Sequence, residues 1–219
     1  MKKINVITID GPSASGKGAL ARKISNSFGF NILDSGVLYR LYAYLTNMHF
    51  SKDEIADQIE RNVEFKNSKE KLSIIFKDKD ITVELRSEEV AKLASEYSSK
   101  KEVRGALLDI QRSFYDGGGL VADGRDMGTV VFNDAKLKIF LTASTEVRAK
   151  RRFIELQNLD QEVNMPALIA DIEKRDMRDS SRDLSPLIPA GDAHVIDSSD
   201  LTLDEVFSIT KNLIKKEFI

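Results

Sequence analysis

A glycine-rich turn at residues 10–19, DGPSASGKGA, has the composition of a site for phosphate groups. Gly11, Gly16 and Lys17 have the spacing of a phosphate-binding loop, and the turn lies between an apolar run and a helical pattern. Glycines let several backbone N–H groups converge on one anion, and the start of the next helix adds positive charge. Lys17 supplies a mobile cation for terminal phosphates. A simple strand-to-helix turn is the alternative, and the flanking strand and helix favour nucleotide binding over it. We call residues 11–18 the phosphate loop.

Gly18 stands where many phosphate loops have the Ser or Thr that helps to hold magnesium. Without that hydroxyl, substrate phosphates, water and carboxylates from elsewhere must hold the ion, which suits magnesium because it tends to keep several waters. This composition argues against a GTPase or a motor ATPase.

Two further segments place charged side chains directly after strand-like runs. The segment LVADGRDMGTVVF has Asp123, Arg125 and Asp126 at such a point, where they suit a metal, a phosphate or a base edge. A turn with a local ion pair is the alternative. The segment DSGVLYR offers Ser35 at a helix start and Arg40 about one turn further, which suits a second anion facing the first. Two facing anion sites imply phosphoryl transfer between two bound molecules.

Arginines recur at helical spacing near the C-terminal third of the chain. Arg175, Arg178, Asp179 and Arg182 fall along one helical face, where they could close over phosphates. A solvated helix with local ion pairs is the commoner explanation of an arbitrary arginine-rich helix. Upstream, a helix that opens near Ser144 carries three more arginines, so a pair of helices with facing arginines would form a lid that excludes water. These three are Arg148, Arg151 and Arg152.

Strand-like and helical patterns alternate along the chain, which predicts a parallel sheet with helices on both faces. The charged segments follow strand ends, and we expect them to converge on one cleft at the carboxyl edge of that sheet. One stretch differs: Val63–Leu85 reads as three short antiparallel strands that must dock on a neighbour. Helices are predicted at about 18–27, 36–48, 88–97 and 101–115, the third capped by Ser87.

Composition excludes several classes of protein. The chain has 219 residues, no cysteine and two isolated histidines, so disulfides, thiolate nucleophiles and cysteine zinc sites are absent and a histidine site has little basis. A net charge of −2 argues against a protein that mainly coats nucleic acid. The apolar run at the start is too short for a signal peptide, and no stretch is long enough to span a bilayer. We therefore expect a cytoplasmic protein with no membrane or nucleic-acid partner.

These segments closely resemble the bacterial cytidylate kinase family over nearly the whole chain. The match includes ITIDGPSASGKG, LDSGVLYR, VRGALLDIQRSF and SPLIPAGDAHVIDS, and its most specific part is DGRDMGTVVF together with the insert. The resemblance implies a single α/β P-loop kinase domain over 1–219, with a parallel five-stranded sheet flanked by helices. It also implies a monophosphate-binding region at 36–116 that contains the three-stranded insert at 63–85, a helical lid at 148–185, and a monomer.

The resemblance implies transfer of the γ-phosphate of ATP to CMP or dCMP, with Mg²⁺ accompanying ATP. Phosphates and water would hold the magnesium, with Asp34 and Asp123 as the nearby carboxylates. Lys17, Arg125, Arg178 and Arg182 are the implied catalytic residues. The implied ATP-binding residues are Gly11, Pro12, Ser13, Ala14, Ser15, Gly16, Lys17, Gly18, Ala19, Arg148, Arg151 and Arg152. The implied CMP-binding residues are Ser35, Arg40, Ser95, Arg104, Arg125, Asp126, Arg175, Asp179 and Arg182.

Within the CMP set, Ser95, Arg104 and Asp126 would read cytosine. A carboxylate accepts a hydrogen bond from the exocyclic amine of cytosine, whereas the carbonyl of uracil would be repelled. One position departs from the family, because Ala19 stands where the family usually has Thr. The missing hydroxyl is expected to cost on the order of 1 kcal/mol of donor binding.

Two other functions fit part of these features. A kinase for UMP, AMP or shikimate would share the loop and the lid, but not Arg104 and Asp126 as readers of cytosine. A non-catalytic regulator that binds a nucleotide or RNA would use the arginine stripes as a basic patch. The near-zero net charge and the lack of aromatic residues among those arginines argue against a regulator.

Overall fold

Apolar strands form a central parallel sheet that helices cover on both faces. A computed structural model describes residues 3–67, 72–158 and 162–218. The strands are β1 (Ile4–Asp10), β2 (Asn31–Asp34), β3 (Val63–Asn67), β4 (Leu72–Phe76), β5 (Lys79–Asp80), β6 (Leu120–Gly124), β7 (Ala135–Thr142) and β8 (His194–Asp197). The helices are α1 (Lys17–Phe28), α2 (Ser35–Asn47), α3 (Lys52–Asn62), α4 (Thr82–Leu85), α5 (Glu88–Tyr97), α6 (Lys101–Ser113), α7 (Thr145–Gln157), α8 (Met165–Ser181) and α9 (Leu203–Phe218), with a π-helical turn at Met127–Val131.

The main sheet has the strand order β2-β6-β1-β7-β8, and each pair of neighbours is parallel. This confirms the predicted five-stranded parallel sheet. Alternate residues of β1 enter different cores: Val6 packs with side chains of α2, α3 and α6, while Ile7 and Ile9 pack with those of α1 and α9. The carboxyl ends of the strands therefore lie at one edge, between helices that hold the sheet on both faces.

The insert forms a second, antiparallel sheet of order β3-β4-β5, but the predicted third strand is wrong in part. Only Lys79–Asp80 is extended, and Thr82–Leu85 turns into α4. The cause is local: the Asp80 carboxylate accepts a hydrogen bond from the Thr82 N–H at 2.9 Å, as at a helix start. The insert docks as expected, because Ile74 and Phe76 join the core beside α2. Residues 68–71 of the predicted insert and 159–161 of the predicted lid lie outside the described residues.

The structure contains two elements that the sequence-based prediction lacks. Helix α3 has no counterpart in it, although Ser51 and Glu54 form a capping pair in which the Ser51 N–H donates to Glu54 Oε2 at 2.8 Å. The π-helical turn after Asp126 was also not predicted, and such turns are frequent near functional sites. Among the described residues, none of the helices combines the length and the apolar character that crossing a membrane requires.

Candidate active site

The phosphate loop leaves β1 at Asp10 and turns against the end of β7. Gly11 has φ of 150°, and a Cβ there would lie 2.0 Å from the Leu141 carbonyl oxygen, so only glycine fits. Gly16 precedes α1 in the left-handed region with φ of 98°. Lys17 opens α1, is buried, and donates to the Pro12 carbonyl oxygen at 2.7 Å. The lysine ammonium thus folds back over the loop that is predicted to hold phosphates.

Gly18 is explained by its neighbour on β6. A Cβ at Gly18 would lie 3.3 Å from the Asp123 carboxylate, so this carboxylate stands beside the position where a Ser or Thr side chain would begin. Asp123 is also the register partner of Asp34 on β2. Burial, and then the charge of Asp34, raises the pKa of Asp123 to about 7. Burial, and then Arg125, lowers the pKa of Lys17 to about 7, because this cation lies in a desolvated and positive environment.

The start of α2 forms the second predicted anion site. The Asp34 carboxylate caps the helix by accepting from the Val37 N–H at 3.1 Å. Ser35 is buried, and its hydroxyl oxygen accepts from the Gln111 side-chain amide at 2.9 Å. Arg40 donates to the Leu85 carbonyl oxygen at 2.8 Å, and burial lowers the pKa of its guanidinium. Both residues therefore lie on one helix at the edge where β2 ends.

Arg104 and Asp126, the two charged residues predicted to read cytosine, lie in direct contact as an ion pair. Arg104 also donates to the Ser98 carbonyl oxygen at 3.1 Å. Asp10 holds the residues that follow Asp126, because its carboxylate accepts hydrogen bonds from the N–H groups of Met127 and Gly128 at 2.8 Å each. A cavity opens beside this pair, and the residues that line it are Lys101, Arg104, Gly105, Leu108, Gln111, Val130, Leu184 and Ser185.

The face of α8 that carries the predicted arginines turns toward the cleft. Arg125 donates to the Asp179 carboxylate at 2.9 Å, and Arg182 lies 3.8 Å from the same group. Arg182 also donates to the Ser98 hydroxyl at 3.3 Å, and Arg178 donates to the Ser95 hydroxyl at 3.0 Å. The structure therefore joins α8, α5 and the loop after β6 through side chains of the predicted CMP set. Two further partners lie outside that set: Arg178, predicted as catalytic, and Ser98, which the sequence did not single out.

This cluster contains positive charge that its own carboxylates do not fully balance. Burial, followed by Arg125, lowers the pKa of Arg175 to about 9, and burial also lowers the pKa of Arg182. Burial alone would raise the pKa of Asp179, but Arg125 and Arg175 outweigh it and the pKa is lowered. Among the described residues, Arg175 Nε and Arg182 Nη2 are buried without a hydrogen-bond partner. An anion in the cleft would satisfy these donors.

Two of the three arginines of α7 contact the phosphate loop directly. Arg148 is buried and donates to the Ser13 carbonyl oxygen at 3.3 Å and to the Asp176 carboxylate at 2.5 Å. Arg151 donates to the Ser15 carbonyl oxygen at 3.1 Å. Arg148 and Arg151 of the predicted lid therefore hold the backbone of the phosphate loop, and Arg148 also joins α7 to α8.

The third arginine of α7 has a different environment. Arg152 pairs with Glu88 of α5 and, at 3.1 Å, with Glu155 of its own helix.

Sequence reasoning missed Asp10 and Gln111, although both are buried at the site. Asp10 had a signal, because a carboxylate ending an apolar strand needs a partner. Gln111 had none, because its partner lies 76 residues away.

Comparison with known proteins identifies the family of this chain. The sequence model of a family described as cytidylate kinase matches residues 7–216. The chain is 42% identical over 219 aligned positions to a cytidylate kinase of Acinetobacter baylyi, with 96% of both chains covered. It is 47% identical over 209 positions to a cytidylate kinase of Marinomonas sp., covering 92% of this chain and 91% of that protein. Among solved structures, an uncharacterized protein from Eubacterium ventriosum has a similar fold, with a TM-score of 0.51, 12% identity, and coverage of 98% of this chain and 99% of that one. This chain belongs to the cytidylate kinase family.

Proposed function

We propose that the protein transfers the γ-phosphate of ATP to CMP and dCMP, which gives ADP with CDP or dCDP. Family membership supports the reaction. The observation that carries the choice of substrate is the ion pair of Arg104 with the buried Asp126. Gln111 lines the cavity with Arg104 and contacts Ser35, so it links this pair to the start of α2. Cytosine offers an amine donor to the carboxylate and acceptors to the guanidinium, so this pair matches its edge.

We assign the ATP phosphates to the phosphate loop. The backbone N–H groups of residues 13–19, at the turn and the start of α1, would surround them, with Lys17 moving from the Pro12 carbonyl oxygen to the terminal phosphates. The lowered pKa of Lys17 supports this role, because a bound phosphate would stabilise the charged ammonium that burial and Arg125 destabilise. Arg148 and Arg151 would keep the loop in shape through its carbonyl oxygens.

We assign the acceptor phosphate to Ser35, Arg40, Arg125 and Arg182. Ser35 lies at the start of α2, where a hydroxyl and backbone N–H groups can face one anion. The unpartnered nitrogen of Arg182 supports this assignment. Arg175 and Asp179 would contact the ribose, and Arg178 would complete the charge that faces the transferring group.

Transfer in this site rests on position and charge. An oxygen of the acceptor phosphate attacks the γ-phosphorus, and the bond from that phosphorus to the bridging oxygen of ADP breaks in line. The acceptor oxygen is already ionised, so no side chain need remove a proton. Lys17, Arg125, Arg178 and Arg182 would neutralise the charge that spreads over the transferring group, which is the main task of a phosphoryl-transfer enzyme.

The residues present fit a magnesium ion that arrives with ATP. Asp34 and Asp123 place two carboxylates side by side at the strand ends, and Asp123 lies against Gly18 of the phosphate loop. Magnesium favours oxygen ligands and retains water, so these carboxylates can bind its water shell while phosphates bind the ion. The metal supplies charge stabilisation at the phosphates when bound. Among the described residues, no group of three or more side chains suited to a metal is present.

The test is an assay of ADP release with ATP and magnesium against CMP, dCMP, UMP, AMP, GMP and shikimate. We expect strong turnover with CMP and dCMP only. Lys17→Ala and Arg182→Ala should each reduce turnover by roughly 100-fold or more, because each removes charge from the transferring group. A loss of melting temperature in proportion to the loss of turnover would contradict these roles. ADP release that needs no acceptor would indicate a hydrolase.

A further inference from the structure

A buried side-chain hydrogen bond joins helix α6 to the first residue of α2. The Nε2 of Gln111 donates to the Ser35 hydroxyl oxygen at 2.9 Å across 76 residues of sequence. Gln111 is 1% exposed and Ser35 is 3% exposed. An isolated amide and an isolated hydroxyl are both costly to bury, so this contact lowers the cost of burying both groups.

The direction of this hydrogen bond determines what Ser35 can do next. A serine hydroxyl has one hydrogen to donate and two lone pairs that accept. The Gln111 amide occupies a lone pair and leaves the hydrogen unused. Within the described part of the chain, the Ser35 hydroxyl forms no hydrogen bond as a donor. Its hydrogen is therefore available to a ligand at the start of α2.

A phosphate is the ligand that this arrangement suits. The oxygens of an ionised phosphate accept hydrogen bonds, and a hydroxyl held as a donor needs no reorientation when such a group arrives. The Gln111 side chain also lines the cavity next to Arg104, so one face of α6 borders both the predicted phosphate and the predicted base positions.

We propose that Gln111 is a positioning residue for the acceptor phosphate. Its amide donates to the Ser35 hydroxyl oxygen, so that the Ser35 hydroxyl hydrogen points to the phosphate of the bound nucleotide. This inference rests on the proposed function and deepens it, because it distinguishes a nucleoside monophosphate from the nucleoside that lacks the phosphate. Without the amide, the hydroxyl can rotate and donate to a backbone oxygen.

The first test is Gln111→Met, which keeps the length of the side chain and removes its polar atoms. Binding of CMP and of cytidine is measured separately by calorimetry, without ATP. We expect CMP to bind about five- to tenfold more weakly, about the value of one ordinary hydrogen bond, because the Ser35 hydroxyl remains but is no longer held in place, while cytidine affinity is unchanged. An equal loss for both ligands would overturn the proposal, because a general distortion of the site weakens both.

The double variant Ser35→Ala with Gln111→Met tests whether Gln111 affects CMP binding through Ser35. We expect Gln111→Met to have no further effect on CMP affinity in the Ser35→Ala background. If the double variant instead loses CMP affinity by the product of the two single fold-losses, Gln111 acts independently of Ser35 and the proposal is overturned. Ser113→Ala is the matched control on α6, since it removes a hydrogen bond to the Ile110 carbonyl oxygen away from this contact and should leave CMP affinity unchanged.

Gln111→Glu provides a second variant in case the methionine variant does not fold. An ionised glutamate only accepts, so at a pH where it is charged it would capture the Ser35 hydrogen, and CMP should bind at least as weakly as to Gln111→Met while cytidine affinity is retained. Unchanged CMP affinity in Gln111→Glu would overturn the proposal. Binding is measured without turnover, so a protein that binds CMP in this pattern but releases no ADP would refute the proposed reaction and leave the positioning role of Gln111 standing.

Discussion

At the scale of single residues, Asp126 is expected to determine which base is accepted. Its carboxylate is buried against Arg104, so it faces little competition from water when a base arrives. In Asp126→Asn we expect kcat/KM for CMP to fall about tenfold to hundredfold, and that for UMP to fall less, because the amide no longer prefers an amine donor. Rates with both nucleotides measure the ratio.

Asp109→Asn is the control for that substitution, because it makes the same change of charge on the exposed face of α6. It should leave the preference for CMP over UMP unaltered. An unaltered preference in Asp126→Asn as well would remove Asp126 from the group that reads the base.

Asp10 is expected to make stability depend on pH. Burial raises the pKa of its carboxyl from 3.8 to about 6, against the opposing effect of the two N–H groups it accepts from. The folded state therefore holds the proton more tightly than the unfolded state, which favours folding at low pH; this contribution is lost as the pH rises through about 6.

Asp10→Asn removes this titration. Relative to the variant, the wild-type free energy of unfolding should increase by about 2 kcal/mol between pH 7.5 and pH 4.5. Urea denaturation of both proteins at several pH values measures the difference. If that difference stays constant from pH 7.5 to 4.5, Asp10 does not titrate as its burial implies.

Ala19 offers a gain-of-function test at the donor side. Ala19→Thr restores a hydroxyl next to Gly18, and we expect the KM for ATP to fall about threefold to fivefold with no change in the KM for CMP. Ala19→Val is the matched control, because it has the same branched shape without the hydroxyl. A decrease of the same size in Ala19→Val would assign the effect to packing.

At the scale of elements, the contact between the phosphate loop and β7 fixes where the donor is held. Gly11→Ala would place a Cβ 2.0 Å from the Leu141 carbonyl oxygen at a φ of 150°, so the loop must shift. We expect a loss of at least about 2 kcal/mol of unfolding free energy and a decrease of turnover of about 100-fold.

Gly191→Ala is the control for that variant, because a Cβ there meets nothing within 4 Å. Denaturation and ADP release measured on both variants separate a local clash from a general effect of adding a methyl group. Full activity in Gly11→Ala would mean that the loop does not depend on this close contact.

At the scale of the whole molecule, α7 and α8 form a unit with a small core of its own. Ala149, Leu156, Leu168 and Ile172 cluster apart from the two cores that flank the sheet. Polar contacts such as Arg148 to Ser13 and Arg178 to Ser95 connect this pair to the remainder of the described chain. Polar contacts exchange partners more readily than a packed core does, so we expect α7 and α8 to move together. The lid at 148–185 stays a prediction.

Hydrogen exchange tests whether α7 and α8 move as a lid. We expect the amides of α8 to exchange faster than those of β1 in the free protein and to slow when CMP and a non-hydrolysable ATP analogue bind together. The buried amides of β1 serve as the internal control. Slow exchange in α8 before any nucleotide is added would contradict a mobile lid.

The monomeric state is also a prediction, and gel filtration of the protein measures it.

The sequence by itself determined the parts of this protein that depend on local spacing. The phosphate loop, the start of α2 and the arginine face of α8 are each set by residues within a few positions of one another, so their patterns are legible without partners. The alternation of strands and helices likewise predicted the parallel sheet, because its hydrophobic period is local.

Only the tertiary structure decided which of these charged groups meet. Arg104 reaches Asp126 from another helix, Gln111 reaches Ser35 across 76 residues, and Arg148 turns to the backbone of the phosphate loop. Each contact joins residues far apart in the chain, so their pairing depends on how helices pack and on which polar groups become buried together. The short third strand of the insert has a local cause instead, because the hydrogen bond from the Thr82 N–H to the Asp80 carboxylate begins a turn that the hydrophobic pattern does not specify.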